Sequence, residues 1–253
     1  MKRLYFIAAL AVATLAANAQ EKLMLSTYNG TNLEKYDGKI CNVTVNRYVF
    51  NGWNTVALPF DITADELNET FGNDCRLERL VSVEGIDNNI QLNFQDCKAE
   101  GLQANVPYLL YYTGEAGNKK IVKKATISNG QAAVTMLTQN GIAVTMGGVQ
   151  EKTAGIGLYG ILARDNAEVK FSKVDGSLSG FLATRCYVQL PAGFNGTLAA
   201  HHLAAGEITG IKTIAKDNEA IDVFNTNGVK VASSTKNLKP GIYVVKGQKV
   251  MVK

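Results

Sequence analysis

Tight-turn dipeptides recur along the chain and divide it into short apolar runs. Asn-Gly stands at 129–130, 140–141, 195–196 and 227–228, and Asp-Gly stands at 175–176. Asn and Gly tolerate the positive φ that tight β-hairpin turns require. Long amphipathic helical patterns are almost absent between these turns. The sequence therefore predicts many short strands joined by tight turns.

Within the runs, apolar residues alternate with polar ones at period two, which is typical of strands with one buried face. In one predicted hairpin of the body, Val81 and Val83 precede a turn at 87–89, and Ile90 and Leu92 follow it. Further strands are predicted at 43–50, 54–60, 108–112, 120–127, 132–137, 157–162, 169–173 and 186–190. This pattern predicts an all-β body, an antiparallel β-sandwich of the immunoglobulin-like or jelly-roll-like kind.

One short helix at most is predicted, at residues 63–71. Thr63 is a candidate N-cap, and Glu66 follows it at the spacing of a capping box. Leu67 and Phe71 would then share the buried face of the helix.

The first residues have the pattern of a secretory signal peptide. Lys2 and Arg3 provide a charged start, residues 4–15 are apolar, and an Ala-Asn-Ala cleavage site ends at Ala19. The apolar run is shorter than the roughly 20 residues that a membrane-spanning helix needs. We therefore expect cleavage near Ala19 and a mature chain without a transmembrane segment.

The tail contains two further predicted hairpins. The first surrounds Asn227 and Gly228, and the second surrounds residues 246–247, with apolar residues alternating on both sides of each turn. Pro240 and Gly241 mark the entry to the second hairpin. The predicted organisation is a signal peptide at 1–19, a β-sandwich body at 20–205 and a small β-module at 206–253.

The charge distribution argues against a nucleic-acid partner. The chain carries a net charge of +4, and the residues from 207 onward hold eight Lys against four acidic residues. These lysines are spread along predicted strands and turns and do not cluster with aromatic residues. These lysines are better explained as residues of solvated sheet edges, where charge discourages strand-to-strand aggregation.

The sequence patterns of common catalytic and cofactor sites are absent. There is no Gly-x-Ser-x-Gly elbow, no P-loop and no dinucleotide fingerprint. The two histidines, His201 and His202, are adjacent, so in a strand they would point to opposite faces and could not easily hold one metal ion. A solvated or linker position is predicted for both. We assign no catalytic residue, cofactor or metal and expect a protein that is not an enzyme.

Four cysteines, Cys41, Cys75, Cys97 and Cys186, are an even number in a chain that is predicted to be exported. Cys75 and Cys97 flank the predicted hairpin at 81–94, so a disulfide between them is predicted. For the other two, a bridge and free buried thiols remain alternatives. No two cysteines have the close spacing of zinc ligands.

Several short runs of the tail occur in a characteristic order. They are Thr-Gly-Ile at 209–211, Ile-Asp-Val-Phe-Asn-Thr-Asn-Gly at 221–228, Leu-Lys-Pro-Gly-Ile-Tyr-Val-Val at 238–245 and Lys-Val-Met-Val-Lys at 249–253. In this order they resemble the C-terminal sorting domain of the type IX secretion system, although full sorting domains are longer. The sorting-signal-like residues are Asn227, Gly228, Gly241, Tyr243, Lys249 and Lys253.

That resemblance implies an Ig-like β-domain that directs proteins of the Bacteroidota across the outer membrane. The secretion machinery is then a partner. The expected location is extracellular or the cell surface, or the periplasm if the tail is not a working signal.

The body resembles a recurrent domain of secreted Bacteroidota proteins. The matching runs are Val-Thr-Val-Asn-Arg-Tyr at 43–48, Gly-Trp-Asn-Thr-Val-Ala-Leu-Pro-Phe-Asp at 52–61, Ala-Asn-Val-Pro-Tyr-Leu at 104–109 and Thr-Arg-Cys-Tyr-Val-Gln-Leu at 184–190. The pattern often has Cys where this chain has Ala57. The resemblance implies no particular activity for this chain.

Three functions follow as hypotheses. The first is an exported, non-enzymatic structural or interaction protein, secreted or on the surface, with glycans or other surface proteins as partners. The alternative is a carbohydrate-binding module that stacks sugars on aromatic residues, namely Trp53, Tyr108, Tyr111, Tyr112 and Tyr187. Core packing is the competing interpretation of Trp53. The less favoured hypothesis is a carboxylate-pair glycoside hydrolase.

Overall fold

The computed structural model describes residues 21–28, 30–86, 88–163, 169–174, 180–204, 211–213, 220–225, 229–234, 238, 241–245 and 248–252. The predicted signal peptide at 1–19 lies outside these residues. The chain is mostly β, with 51% in strands and 8% helical. This confirms the predicted all-β, sandwich-like class.

The described strands form three sheets, which we call the N-terminal, central and tail sheets. The strands are β1 (Lys22–Leu25), β2 (Ile40–Val49), β3 (Gly52–Val56), β4 (Arg76–Ile86), β5 (Asn89–Asp96), β6 (Tyr108–Tyr112), β7 (Gly117–Thr126), β8 (Ala133–Leu137), β9 (Ala143–Gly148), β10 (Tyr159–Ala163), β11 (Lys170–Lys173), β12 (Cys186–Gln189), β13 (Thr197–His202), β14 (Ile211–Thr213), β15 (Ala220–Asn225), β16 (Lys230–Ser234), β17 (Gly241–Val245) and β18 (Gln248–Val252). Short 3-10 turns lie at Glu34–Tyr36 and Lys98–Glu100.

A single α-helix, α1 (Ala64–Phe71), lies among the described residues, where one was predicted. The hydroxyl of Thr63 accepts a hydrogen bond from the amide of Glu66 at 3.3 Å, and the Glu66 carboxylate accepts one from the amide of Thr63 at 2.8 Å. This is the predicted capping box, and it satisfies two amides at the start of the helix. Leu67 and Phe71 are buried, as predicted. Each contributes about 1.5–3 kcal/mol through burial.

The N-terminal sheet has the order β1-β2-β7, with β1 parallel to β2 and β2 antiparallel to β7. Along β2 the side chains alternate, because successive residues of a strand point to opposite faces. Val43, Val45 and Arg47 are buried, whereas Asn46 and Tyr48 are exposed. The inner face of β2 therefore carries one charged residue among apolar ones.

The central sheet has the order β3-β6-β4-β5-β13-β11-β10-β12-β9-β8. Its pairings are antiparallel except that of β5 with β13, which is parallel. The sheet folds back on itself: the amide of Cys186 on β12 donates to the hydroxyl of Thr55 on β3 at 2.9 Å. Strands far apart in the order therefore meet across one core.

Two apolar cores lie on opposite faces of the central sheet. The first fills the space that it shares with the N-terminal sheet and α1, and it includes Val45, Phe60 and Leu67. The second lies inside the folded central sheet and includes Phe94 and Val188.

Strand β6 is buried on both faces. Tyr108, Leu110 and Tyr112 belong to the first core, and Leu109 belongs to the second. A strand that is covered on both faces carries a continuous apolar run. The hypothesis that Tyr108 and Tyr112 stack a ligand on an open face is therefore wrong, because they are only 1% and 5% exposed.

Each strand predicted in the body has a counterpart. Strand β6 has the predicted bounds, and the ends of the others are shifted. Strand β3 ends at Val56, before the predicted end at residue 60, because the amide of Ala57 donates to the carbonyl of Thr184 at 3.1 Å. Strands β1, β9, β13 and β14 have no counterpart among the predictions. The predicted solvated or linker position of the histidines is wrong, since His201 and His202 end β13 within the central sheet.

All four cysteines are buried free thiols, so the predicted disulfide between Cys75 and Cys97 is wrong. In the register of β4 and β5, Glu78 faces Asp96, and the amide of Cys97 donates to the carbonyl of Leu77 at 2.8 Å. Cys75 therefore lies two residues beyond the position opposite Cys97. Such diagonal neighbours are about 7–8 Å apart, farther than a disulfide spans.

The tail sheet has the order β14-β18-β17-β15-β16. Strand β15 pairs antiparallel with β16, and β17 pairs antiparallel with β18, which confirms both predicted hairpins. Their turn residues, 226–228 and 246–247, lie outside the described residues. Among the described residues the tail strands pair only with one another.

Candidate functional site

Arg47 is a buried cation at the junction of the N-terminal and central sheets. Its side chain is on the inner face of β2, and the residue is 2% exposed. Its Nη1 donates to the carbonyl of Thr184 at 3.0 Å, and its Nη2 donates to the carbonyl of Thr55 at 2.7 Å. Its Nε is buried and has no hydrogen-bond partner among the described residues. Two neutral carbonyls therefore surround a charge that usually takes a carboxylate partner when buried.

Arg185 is a second cation beside Arg47. Burial, and then the charge of Arg185, lower the pKa of Arg47 to about 9, and burial also lowers the pKa of Arg185. Both guanidinium groups remain protonated at neutral pH. No Asp or Glu of the described residues forms an ion pair with either one. The two guanidinium groups therefore place positive charges side by side, and the described residues provide no counter-ion for them.

The turn that carries Arg185 is held in an unusual conformation. Thr184 has a φ of 68°, which is a strained value for a β-branched residue. Its carbonyl accepts from both Arg47 and the amide of Ala57. Its buried hydroxyl lacks a partner among the described residues, and Thr184 lines a cavity of about 20 Å³, which has room for about one water molecule. Contacts from two sheets thus fix the residue next to Arg185.

Two adjoining clefts open beside this turn, with volumes of about 460 and 730 Å³. They share Tyr28, Leu182 and Arg185, and we call them together the arginine cleft. The wider part is also lined by Met24, Leu25, Ser26, Thr27, Thr44, Asn46, Arg47, Tyr48, Asn118, Lys120, Ala183 and Thr184. No Asp or Glu among the described residues lines either part, so these residues provide no carboxylate pair of a glycoside hydrolase there.

Aromatic rings flank Arg185 in the cleft. Its guanidinium lies over the ring of Phe50, 5.7 Å from the centroid, and its Nη2 donates to the carbonyl of Tyr48 at 2.9 Å. Tyr48 and Tyr28 are 44% and 70% exposed. The arrangement can bind an anion at the guanidinium and a flat apolar face against the rings.

A second cluster of polar side chains surrounds the buried carboxylate of Glu78. Glu78 accepts hydrogen bonds from Arg76 and from Nδ1 of His202, the latter at 2.5 Å. The His202 ring stacks on Trp53, and the Arg76 guanidinium lies 5.1 Å from a Trp53 ring centroid. None of these residues except Trp53 lines the arginine cleft. The cluster therefore fills the second core and its edge.

The residues predicted to stack a sugar do not form one platform. Trp53, Tyr108 and Tyr112 are buried, which confirms the alternative that Trp53 is a core residue. Tyr187 is half-buried, with its ring against Gly147. Tyr111 is half-buried and lies 5.0 Å from Trp53.

The sorting-signal-like residues are only partly described. Gly241 and Tyr243 lie on β17 and Lys249 lies on β18, where Val244 faces Lys249. Tyr243 is half-buried and packs against Val223. Asn227, Gly228 and Lys253 lie outside the described residues.

The described residues contain neither a metal-binding cluster nor a membrane-spanning helix. No group of three or more His, Cys, Asp or Glu side chains is placed to hold a metal ion within these ranges. No helix in the described part of the chain has the length and apolar character needed to cross a membrane.

Comparison with protein-family models, with curated proteins and with solved structures found no match for this chain.

Neither Arg47 nor Arg185 is among the site residues that the sequence predicts. For Arg47 a signal exists, because it occupies an apolar position in the alternation that begins at Val43 and Val45. For Arg185 there is no local signal, since its contact with Tyr48 joins residues 137 positions apart.

Proposed function

We propose that the protein is an exported, non-enzymatic interaction protein, secreted or on the surface of a bacterium of the Bacteroidota. The body is the recognition module, and residues 206–253 are the sorting signal for type IX secretion. The signal-peptide pattern that ends at Ala19 and the order of runs in the tail support the export route.

One observation carries the proposal for the body. The arginine cleft is lined by cations and aromatic rings and by no carboxylate of the described residues. Such a surface is suited to holding a ligand, and its described residues include no pair of carboxylates for hydrolysis. Carbohydrate binding therefore remains the second candidate, with Tyr28, Tyr48 and Phe50 in place of the aromatic residues named from the sequence.

Deleting residues 221–253 tests the sorting role of the tail in a host with a working type IX system. Surface protein should fall strongly, while the truncated chain collects in the periplasm. Fractionation measures both pools, so degradation is distinguished from failed export. A Val229→Ser variant, changed at a side chain that is 58% exposed, should reach the surface normally. Unchanged surface delivery of the truncated chain would overturn the sorting role.

A further inference from the structure

Arg47 and Arg185 are two cations that the described residues leave without a counter-ion. Removing a charge from water costs free energy unless an opposite charge or hydrogen bonds compensate for it. Two carbonyls compensate Arg47 in part, and its Nε remains unpartnered. An anion in the adjacent cleft would supply the missing negative charge.

Arg185 is placed for direct contact with such an anion. Its guanidinium has five N–H donors, and its hydrogen bond within the described residues goes to the carbonyl of Tyr48. Arg47 binds the carbonyl of the preceding residue, Thr184, and so fixes the position from which Arg185 projects. Arg47 is therefore a positioning residue, and Arg185 is the contact residue.

We propose that the arginine cleft binds an oligosaccharide that carries carboxylate groups, with Arg185 as the anion contact and Arg47 as the buried residue that positions it. The inference rests on the proposed recognition role of the body and is independent of export by the tail. A planar guanidinium matches a carboxylate through two parallel hydrogen bonds.

The walls of the cleft suit a sugar. The exposed side chains of Tyr28 and Tyr48 offer apolar ring faces for the C–H side of a pyranose. In the register of β2 and β7, Asn118 faces Tyr48 and Lys120 faces Asn46. These exposed groups form a polar row that can hydrogen-bond to sugar hydroxyls. The volume of about 730 Å³ is within the usual range for small ligands.

The same surface is less suited to an extended peptide. A peptide that adds to a sheet needs free backbone groups at a strand edge. Here the carbonyl of Asn46 accepts from the Thr27 hydroxyl at 3.4 Å, and the carbonyl of Tyr48 accepts from Arg185. Strand β2 therefore has these acceptors already engaged beside the cleft.

Titration calorimetry of the mature chain with tetragalacturonate tests the proposal. The methyl ester of the same oligosaccharide is the neutral control, and a sulfated oligosaccharide and an acidic peptide are further probes. We expect binding of tetragalacturonate that weakens as salt is added. We expect the methyl ester to bind at least about tenfold more weakly, since it cannot form the charged hydrogen bonds.

Three variants locate the site. Arg185→Gln should weaken binding of tetragalacturonate by about tenfold or more, and Arg185→Lys should weaken it less, because charge remains without the planar fork. Lys120→Gln, at an exposed position of the cleft, should weaken it severalfold. Arg79→Gln is the matched control, because Arg79 pairs with Glu100 outside the cleft. Circular dichroism verifies that each variant is folded.

Four results would overturn the assignment. They are equal binding of tetragalacturonate and its methyl ester, binding of the sulfated probe or the acidic peptide alone, unchanged affinity in folded Arg185→Gln, and no binding at all. Surface delivery of the same chain would still be measured separately, so a failed ligand assignment is distinguishable from failed export.

Discussion

The imidazole ring of His202 stacks on the indole ring of Trp53, with centroids 4.3 Å apart and ring planes inclined by 10°. The same imidazole donates to the buried carboxylate of Glu78, which is 1% exposed. One histidine thus joins β13 to β3 and β4, strands that are separated in the order of the central sheet.

Replacing His202 by Ala should therefore destabilise the fold. The buried carboxylate of Glu78 loses one of its two partners, and a hydrogen bond to a charged group contributes about 1.5–3 kcal/mol. We expect the free energy of unfolding to fall by about 2 kcal/mol. Urea titration followed through the emission of Trp53, the only tryptophan, measures it. His201→Ala, changed on the opposite face of β13, should cost less. Equal losses would contradict this role of His202.

Gly101 is a position where a side chain has no room. Its φ is 76°, and an added Cβ would lie 2.3 Å from the carbonyl oxygen of Ile62. That carbonyl accepts from the amide of Leu102 in a two-way bridge just before α1. Gly101→Ala should lower the free energy of unfolding by about 3 kcal/mol or more, because strain and a steric clash add.

Gly72 provides the matched control for Gly101. It also has a positive φ, 87°, but an added Cβ would meet nothing within 4 Å. Gly72→Ala should therefore cost about 1–2 kcal/mol, from backbone strain alone. Thermal melting of both variants gives the difference. If the two lose the same stability, the clash with Ile62 does not exist.

The capping box of α1 should contribute to acid sensitivity. Partial burial raises the pKa of Glu66, but hydrogen bonds from Lys123 and Thr63 outweigh this and lower it below its usual value. A lowered pKa in the folded state means that the stability is present above the unfolded pKa and is lost as pH falls through the folded pKa. Wild type should therefore lose more stability than Glu66→Gln between about pH 5 and 3.

Glu69→Gln is the control for that measurement, because Glu69 is exposed on the same helix. It should follow the acid sensitivity of wild type in urea titrations at each pH. If Glu66→Gln loses as much stability in acid as wild type does, the ion pair of Glu66 with Lys123, 2.6 Å long, is not a cause of the acid sensitivity.

What the sequence predicts depends on how far apart the interacting residues are. The capping box between Thr63 and Glu66 and the two tail hairpins are local, so propensity and turn chemistry identify them. Strand β13 pairs in parallel with β5, and such a pairing leaves no mark on neighbouring residues. For this reason the predicted solvated or linker position of His201 and His202 is wrong.

The candidate site was not predicted for the same reason. The contacts of Arg47 with Thr184 and of Arg185 with Tyr48 each join residues 137 positions apart. Alternation along β2 places Arg47 inside but does not say what surrounds it. The aromatic residues of β6 were predicted to stack a ligand, but the strand is buried on both faces. Composition alone does not distinguish a buried aromatic strand from an exposed aromatic platform.

The thiols should be unreactive until the protein unfolds. Burial raises the pKa of Cys97 and of Cys186 to about 12, and it also raises those of Cys41 and Cys75. The thiolate is the reactive form, so iodoacetamide at about pH 8.5 should leave the native protein unmodified. In guanidinium without reductant, all four cysteines should be alkylated, as mass spectrometry would show. Modification of only two would mean that a disulfide is present after all.

The same shifts predict how the thiols affect stability in alkali. A pKa that is raised in the folded state gives stability that is complete below the unfolded pKa and is lost as pH rises towards the folded one. Cys186→Ala should therefore lose less stability than wild type between about pH 8 and 10. Arg47 acts in the opposite direction, since burial lowers its pKa. Wild type and Cys186→Ala are therefore compared at each pH, so that the contribution of Arg47 is the same in both. Parallel curves of the free energy of unfolding against pH would contradict a neutral buried thiol at Cys186.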